Sequence, residues 1–222
     1  MRIKMFFLFA ALISLLCPAC PAQTDIAASL YGAFNQSTSG NGTEQSPANS
    51  AGGLIEVRHI HNPLVGYEAT YSYNRANQGL SNGLIACPGL SCTVSTAAIS
   101  ANAHEVTGDW VISFKAGSFR PFALAGGGLL LNVPSGGTVT TTTYCPVCAL
   151  SAQTTSPAAT STSTKGVFVY GAGVDWALLP HIGLRLQYRG NLYQASSLAT
   201  AFSSTNAFTH TAEPMIGAYF RF

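Results

Sequence analysis

The chain has little charge. Ten basic and eight acidic residues make up 8% of its 222 positions, against roughly 25% in an ordinary soluble domain. A nucleic-acid binder is excluded, because it needs a basic stripe to neutralise phosphates. An acidic, self-repelling disordered chain is excluded as well. A soluble protein this poor in charge would struggle to stay dispersed. Either part of the surface does not face water, or the chain is heavily modified. Beyond the N-terminus no apolar run reaches the length of a transmembrane helix. Helical periodicity is scarce. What is present is glycine, at 22 residues, abundant Ser and Thr, and an ordinary hydrophobic fraction of 47%. The length suits one domain, or two small ones.

The N-terminus directs the chain out of the cytoplasm. Arg2 and Lys4 precede an apolar run over 5–16, and Cys17-Pro18-Ala19-Cys20-Pro21-Ala22 follows with breakers and small residues. This is the pattern of a cleaved secretory signal peptide over 1–22, with cleavage expected after Ala22. The run is too short for a membrane-spanning anchor. Neither Cys17 nor Cys20 follows the small residues of a lipoprotein signal. Loss of Arg2 and Lys4 leaves eight basic residues against eight acidic ones, so the expected mature chain, 23–222, is formally neutral. It keeps four cysteines: Cys87, Cys92, Cys145 and Cys148. Export makes disulfides plausible.

Period-2 alternation recurs along the mature chain, and it predicts eight strands. They cover about 26–36, 51–61, 64–75, 98–114, 118–133, 166–178, 181–194 and 209–222. The connections alternate long, short, long, short, long, short, long. The short ones are His61-Asn62-Pro63, Lys115-Ala116-Gly117 and Leu179-Pro180. In an antiparallel meander this order puts every long loop at one end and every tight turn at the other. Outer-membrane barrels have this asymmetry. The long stretches, of which 134–165 is the longest, are rich in Ser, Thr, Gly and Ala. That composition predicts flexible, solvated loops without a packed core.

The strand faces differ sharply. Val65, Tyr67, Ala69, Tyr71 and Tyr73 oppose Glu68, Thr70, Ser72 and Asn74. Trp110, Ile112 and Phe114 oppose Glu105, Thr107 and Asp109. Phe168, Tyr170 and Trp176 oppose Asp175, and Leu184, Leu186 and Tyr188 oppose Arg185, Gln187 and Arg189. The segment 118–133 is apolar or Gly on both faces, which leaves its register open. A soluble sandwich would bury the apolar faces. Three features point to lipid instead. Surface charge is too scarce for a soluble barrel. Tyr67, Trp110, Phe114, Trp176, Phe220 and Phe222 stud the ends of the apolar faces like an interfacial girdle. The polar faces also balance Glu56, Glu68, Glu105, Asp109, Asp175 and Glu213 with Arg58, Arg120, Arg185, Arg189 and Arg221. Paired charge is tolerable inside a barrel, whereas unpaired charge in lipid is not.

A family resemblance rests on three stretches. They are Phe119-Arg120-Pro121-Phe122-Ala123-Leu124-Ala125-Gly126-Gly127-Gly128, Tyr170-Gly171-Ala172-Gly173-Val174-Asp175-Trp176 with Leu184-Arg185-Leu186-Gln187-Tyr188-Arg189, and the terminal Gly217-Ala218-Tyr219-Phe220-Arg221-Phe222. Over the whole mature chain the sequence resembles the OmpA/OmpX-type eight-stranded outer-membrane β-barrel family of the Gram-negative cell envelope. The resemblance implies an all-β, eight-stranded antiparallel up-and-down transmembrane barrel with short periplasmic turns and long extracellular loops. It implies outer-membrane lipid as surroundings and a monomer. In the family the last strand ends in an aromatic residue that the barrel-assembly machinery reads. Phe220 and Phe222 match that pattern, so this machinery is an expected transient partner. No peptidoglycan-binding domain is expected to follow the last strand.

Candidate chemical sites are weak. Cys87/Cys92 and Cys145/Cys148 are expected to form disulfides at loop tips, with local pairing ahead of cross-loop pairing among three connectivities. The Cys145-Pro146-Val147-Cys148 spacing also fits a redox motif, but no helix follows it. A four-cysteine zinc site would have one suitable knuckle, not two. His59 and His61 share a face and could contribute to a metal site, but they read better as interfacial residues. Ser203, Ser204, His210 and Glu213 are the ingredients of a hydrolase near one another in sequence only. No catalytic residue, metal or cofactor is therefore assigned. The expected function is a non-enzymatic integral barrel with a structural or surface-interaction role, its external ligand unidentified. The alternatives are a small barrel enzyme acting on outer-membrane lipid and a narrow passive pore. Refolding in detergent should give heat-modifiable gel migration, and deleting Phe222 should lower the fraction assembled. A chain that stays monomeric in water without detergent would overturn the membrane reading.

Overall fold

The computed structural model describes residues 23–61, 64–82, 92–145 and 150–222. The expected signal segment 1–22 lies outside them. Among the described residues there are twelve strands and no helix. In chain order they are β1 (Gln23–Asn35), β2 (Thr38–Gly40), β3 (Thr43–Pro47), β4 (Ser50–Ile60), β5 (Val65–Arg75) and β6 (Gln78–Asn82). Then come β7 (Cys92–Ser113), β8 (Phe119–Cys145), β9 (Leu150–Pro157), β10 (Ser163–Ala177), β11 (Ile182–Gln194) and β12 (Phe208–Arg221).

Eight of these close a ring. The order is β1, β4, β5, β7, β8, β10, β11, β12 and back to β1, with every pair antiparallel. Each of the eight segments read from the alternation falls on one barrel strand, but β7 begins six residues earlier and β8 runs twelve residues further than read. The period of two then sorts the side chains. On β5, Tyr67, Tyr71 and Tyr73 face outward, while Glu68, Thr70 and Ser72 are buried. On β11, Leu184, Leu186 and Tyr188 face outward, while Arg185, Gln187 and Arg189 are buried. The ring therefore has an apolar exterior and a polar interior, the inverse of a soluble fold.

The register of β8, open from sequence, is set by β7. Asp109 lies opposite Gly126, and Ile112 lies opposite Ala123. This turns Phe122, Leu124 and Leu130 inward and Leu129 outward. A Cβ at Gly126 would collide with the Asp109 carboxylate and the Gly108 carbonyl. Glycine at that position leaves room for the buried acid.

Tight turns close one end of the barrel. Between β7 and β8, Ala116 and Phe119 exchange backbone hydrogen bonds of 2.8 and 3.1 Å around Gly117 at φ 64°. The other end is built up rather than loose. β7 has 22 residues and β8 has 27, whereas crossing the hydrocarbon takes roughly 9–11 tilted residues. Both strands therefore run far beyond the membrane. There β2, β3, β6, β7, β8 and β9 form a continuous antiparallel sheet. The turn between β2 and β3 is Asn41-Gly42, with φ of 51° and 72°, the conformation a two-residue type I′ hairpin demands.

The segment 195–207 completes this outer rim. The Asn41 side-chain amide donates to the Ser204 carbonyl at 2.8 Å, and the Ser161 N–H donates to the Leu198 carbonyl at 3.0 Å. Leu198 and Phe202 turn inside against Leu80, Ala97, Ile99 and Ala101. The expectation of solvated loops without a core is thus corrected. The Thr run at 138–143 is β-branched and pairs as strand with both β7 and β9. Among the described residues, Leu80, Ile99, Leu198 and Phe202 meet with Ala97, Ala101 and Ala199 in one buried apolar plug. Phe202→Ala should weaken that plug locally by about 3–5 kcal/mol. Limited proteolysis should then nick 195–207, while heat-modifiable migration of the barrel stays unchanged.

Candidate functional site

The interior is where the chain places most of its charge. Asp25, Glu56, Glu68, Glu105, Asp109, Asp175, Glu213, Arg58, Arg185 and Arg189 are all buried. Each comes from an inward position of an alternating strand. No single strand could carry the group, so the cluster exists only once the ring has closed.

Its lower half, toward the tight turns, is a crossed network. Arg58 of β4 donates through Nε to Oε2 of Glu68 on β5 at 2.7 Å, and its Nη2 completes the ion pair at 2.6 Å. Its Nη1 reaches across the lumen to Asp175 of β10 at 3.3 Å. Arg185 of β11 grips the same Asp175 in a two-pronged pair, through Nε at 2.6 Å and Nη2 at 2.9 Å. It also donates to Asp25 of β1 at 3.0 Å and to Glu56 of β4. Asp175 is thus the acceptor that joins two guanidinium groups from opposite walls. Phe122 lies beneath, its ring 4.0 Å from the Arg58 guanidinium carbon, within the range of a cation–π contact. At the very end, Arg120 donates to the Gln23 side chain at 3.0 Å, and Arg221 sits over the Tyr219 ring at 5.3 Å.

The upper half is organised by one base. Arg189 Nη2 lies 3.2 Å from Glu105 and 4.0 Å from Asp109, and donates to the Thr107 hydroxyl at 3.1 Å. Asn191, two residues on along β11, donates to the other Glu105 oxygen at 3.0 Å. Above Asn191 and Glu213 lies a cavity of about 40 Å³, room for a few waters and no more. Ala195 and Ser196, which lead into the Leu198/Phe202 plug, line it.

Outside, the aromatic residues mark one rim. Tyr67, Trp110, Phe114, Trp176, Phe220 and Phe222 are all exposed on the outer face. Tyr67 and Trp110 are directly opposed across β5 and β7. Trp176 stacks on Phe119 at 5.8 Å, and Phe220 meets Phe222 edge-on at 5.0 Å. Rings of this kind belong at a lipid–water interface.

The structure separates the residues that suggested a hydrolase. His210 bonds the Tyr170 hydroxyl at 3.0 Å at the outer wall, whereas Glu213 is buried in the lumen. An odd spacing along one strand puts them on opposite faces. The Ser204 hydroxyl instead donates to the Ala195 carbonyl at 2.8 Å. His59 bonds Thr24 at 2.9 Å, and among the described residues no cluster of three His, Cys, Asp or Glu has the form of a metal site. Cys92 opens β7 opposite Tyr144, next to Cys145 at the end of β8. Cys87 and Cys148 lie outside the described residues.

Sequence reasoning missed Asp25 and Phe122. Asp25 could have been found by carrying the alternation of Ala27, Ser29 and Tyr31 back by two residues. Phe122 had no such signal, because both faces of its strand are apolar.

A closed antiparallel barrel of eight strands, apolar outside and ion-paired inside, defines an integral barrel of the outer-membrane kind. Residues 7–215 match the outer membrane protein beta-barrel domain family, and the chain belongs to it. That family places the protein in an outer membrane. In shape the chain is similar to OprG from Pseudomonas aeruginosa, with 13% identity over 90% of this chain and 96% of that one, at a TM-score of 0.49. It is also similar to Neisserial surface protein A, with 15% identity over 91% and 100% of the two chains, at 0.47. The attachment invasion locus protein Ail of Yersinia pestis, solved with a heparin analogue, has 14% identity over 91% and 100%, also at 0.47. No curated protein matches the chain by sequence.

Removing Arg185 would leave Asp25, Glu56 and Asp175 without their shared partner. Arg185→Ala should destabilise the refolded barrel by about 3–5 kcal/mol. Denaturant unfolding in micelles, followed by the fluorescence of Trp110 and Trp176, measures this. Glu44→Ala, at an exposed position on β3, should leave the midpoint in place.

Proposed function

We propose that the protein is a non-enzymatic barrel, closed to solute flow, that holds a rigid hydroxyl-rich sheet above the outer membrane for contact with its surroundings. The observation that carries this reading is the Arg58–Asp175–Arg185 bridge across the lumen. A channel needs a continuous water path, and eight strands leave an interior that side chains just fill. The plug of Leu198 and Phe202 adds a second barrier. His210 bonds the Tyr170 hydroxyl on the outer wall, away from the buried Glu213, which supports the non-enzymatic reading over a lipid-modifying one. Outside the membrane the paired strands β2, β3, β6, β7, β8 and β9 form a surface of defined shape. Ordered strands lose less entropy on binding than loose loops do.

The same reading includes export by cleavage after Ala22, insertion through recognition of Phe220 and Phe222, and residence as a monomer in lipid. It also includes two disulfides from Cys87, Cys92, Cys145 and Cys148. Cys92 and Cys145 stand at the open end of the β7–β8 hairpin, where local pairing would close each loop tip and cross-loop pairing would tie the two strands together. Thiol titration of unreduced, denatured protein is expected to find no free thiol, and four thiols would discard the disulfides.

Purified protein in planar bilayers should give no discrete conductance steps. Steps that persist after the barrel is shown to be intact would replace this reading with the pore. Turnover of labelled lipid A that His210→Ala abolishes would replace it with the enzyme.

A further inference from the structure

We propose that the upper lumen is a binding site for a divalent, calcium-class cation, held by Glu105, Glu213 and Asn191. Charge accounting is the first support. The lower network sets four acids, Asp25, Glu56, Glu68 and Asp175, against four arginines, Arg58, Arg120, Arg185 and Arg221. The upper chamber sets Glu105, Asp109 and Glu213 against Arg189 alone. Arg189 already serves Glu105 and Asp109. Glu213 has no ion pair within 4.0 Å among the described residues; the carboxylate of Glu105 repels it, and Arg189, its cross-strand neighbour, attracts it only from beyond that distance. Two negative charges are left over in a buried space, which is costly unless a cation joins them.

The second support is independent of charge. Glu213 Oε2 and Asn191 Oδ1 are buried and have no hydrogen-bond partner in the protein. Asn191 is 2% exposed and Glu213 4%. The Asn191 amide nitrogen is committed to Glu105, which fixes the orientation of the amide, and Asn191 and Glu213 both line the cavity. Gln45 and Gln78 at the roof repeat the pattern. Both donate to the Ser196 carbonyl, at 3.2 and 3.4 Å, and both keep an unpartnered Oε1. The chamber's lining thus gathers unpaired oxygen acceptors, while Arg189 Nε and Nη1 and the Tyr31 hydroxyl beside it are buried donors that also lack partners. A hard divalent ion takes six to eight oxygens, with waters completing the shell. Two carboxylates supply the compensating charge, and the cavity has room for the waters. Because Gln45 and Gln78 pin the segment 195–207 through Ser196, the ion would sit directly beneath the plug.

The test uses the refolded, full-length mature barrel in detergent, freed of divalent ions with chelator. Terbium ion serves as the first probe, since Tyr193 lines the chamber and can sensitise its emission. Saturable sensitised emission, displaced by calcium, is expected. Millimolar calcium should also raise the unfolding temperature by several degrees over chelator. Glu213→Gln should remain heat-modifiable, be at least as stable as wild type in chelator, and lose the calcium increment. A purely structural Glu213 would change stability equally with and without calcium. Asn191→Leu provides the same readouts if Glu213→Gln fails to refold, with calcium affinity weaker by about tenfold or more. Glu44→Gln, at an exposed acid, should keep both signals. The proposal falls if wild type shows no sensitised emission or no calcium-dependent shift, or if the lumen variant that folds keeps the shift.

Discussion

Everything in this structure follows from the demand that backbone N–H and C=O groups in hydrocarbon find partners within the protein. Strands meet that demand only when the sheet closes on itself. Closure between β7 and β8 and between β1 and β12 leaves the membrane barrel itself without an open edge. The closed ring then divides each strand into a lipid face and a lumen face. Leu, Ile, Val and aromatic residues fall on one, and nearly every charge falls on the other.

Such an interior cannot be a hydrophobic core, because the outward positions have claimed most of the large apolar residues. Guanidinium groups fill it instead. Arg58, Arg185 and Arg189 are long enough to cross the lumen, and each offers several donors in a planar fork. Asp175 accepts from two of them, which binds opposite walls. Packing and electrostatics are joined here, since the same side chains occupy the volume and neutralise one another.

Above the membrane the rule changes. Water is again present, and the chain returns to an ordinary apolar cluster around Ile99, Leu198 and Phe202. This cluster covers the charged lumen and links the outer rim through the 195–207 segment. The protein is thus a lipid-facing barrel below and a water-facing sheet above, built on the same two long strands, β7 and β8.

Much of this was legible in the order of residues. A period of two with one apolar face determines strands, their faces and the lumen side of Glu68, Asp109, Arg185 and Arg189. The alternation of short and long connections determines which end carries the turns. Composition alone assigns the run of Thr at 138–143 to a loop, a weak guide where β-branched residues can pair with both neighbouring strands. Register on an uninterrupted apolar stretch such as β8 has no local signal, since either face would suit lipid. Partnership among charges is likewise a property of the closed ring: Asp25 meets Arg185 160 residues away. The sequence by itself determined the strand faces, because alternation is local. Only the tertiary structure decided which acids share which arginine and that a plug covers the mouth, because those contacts join walls that closure alone brings together.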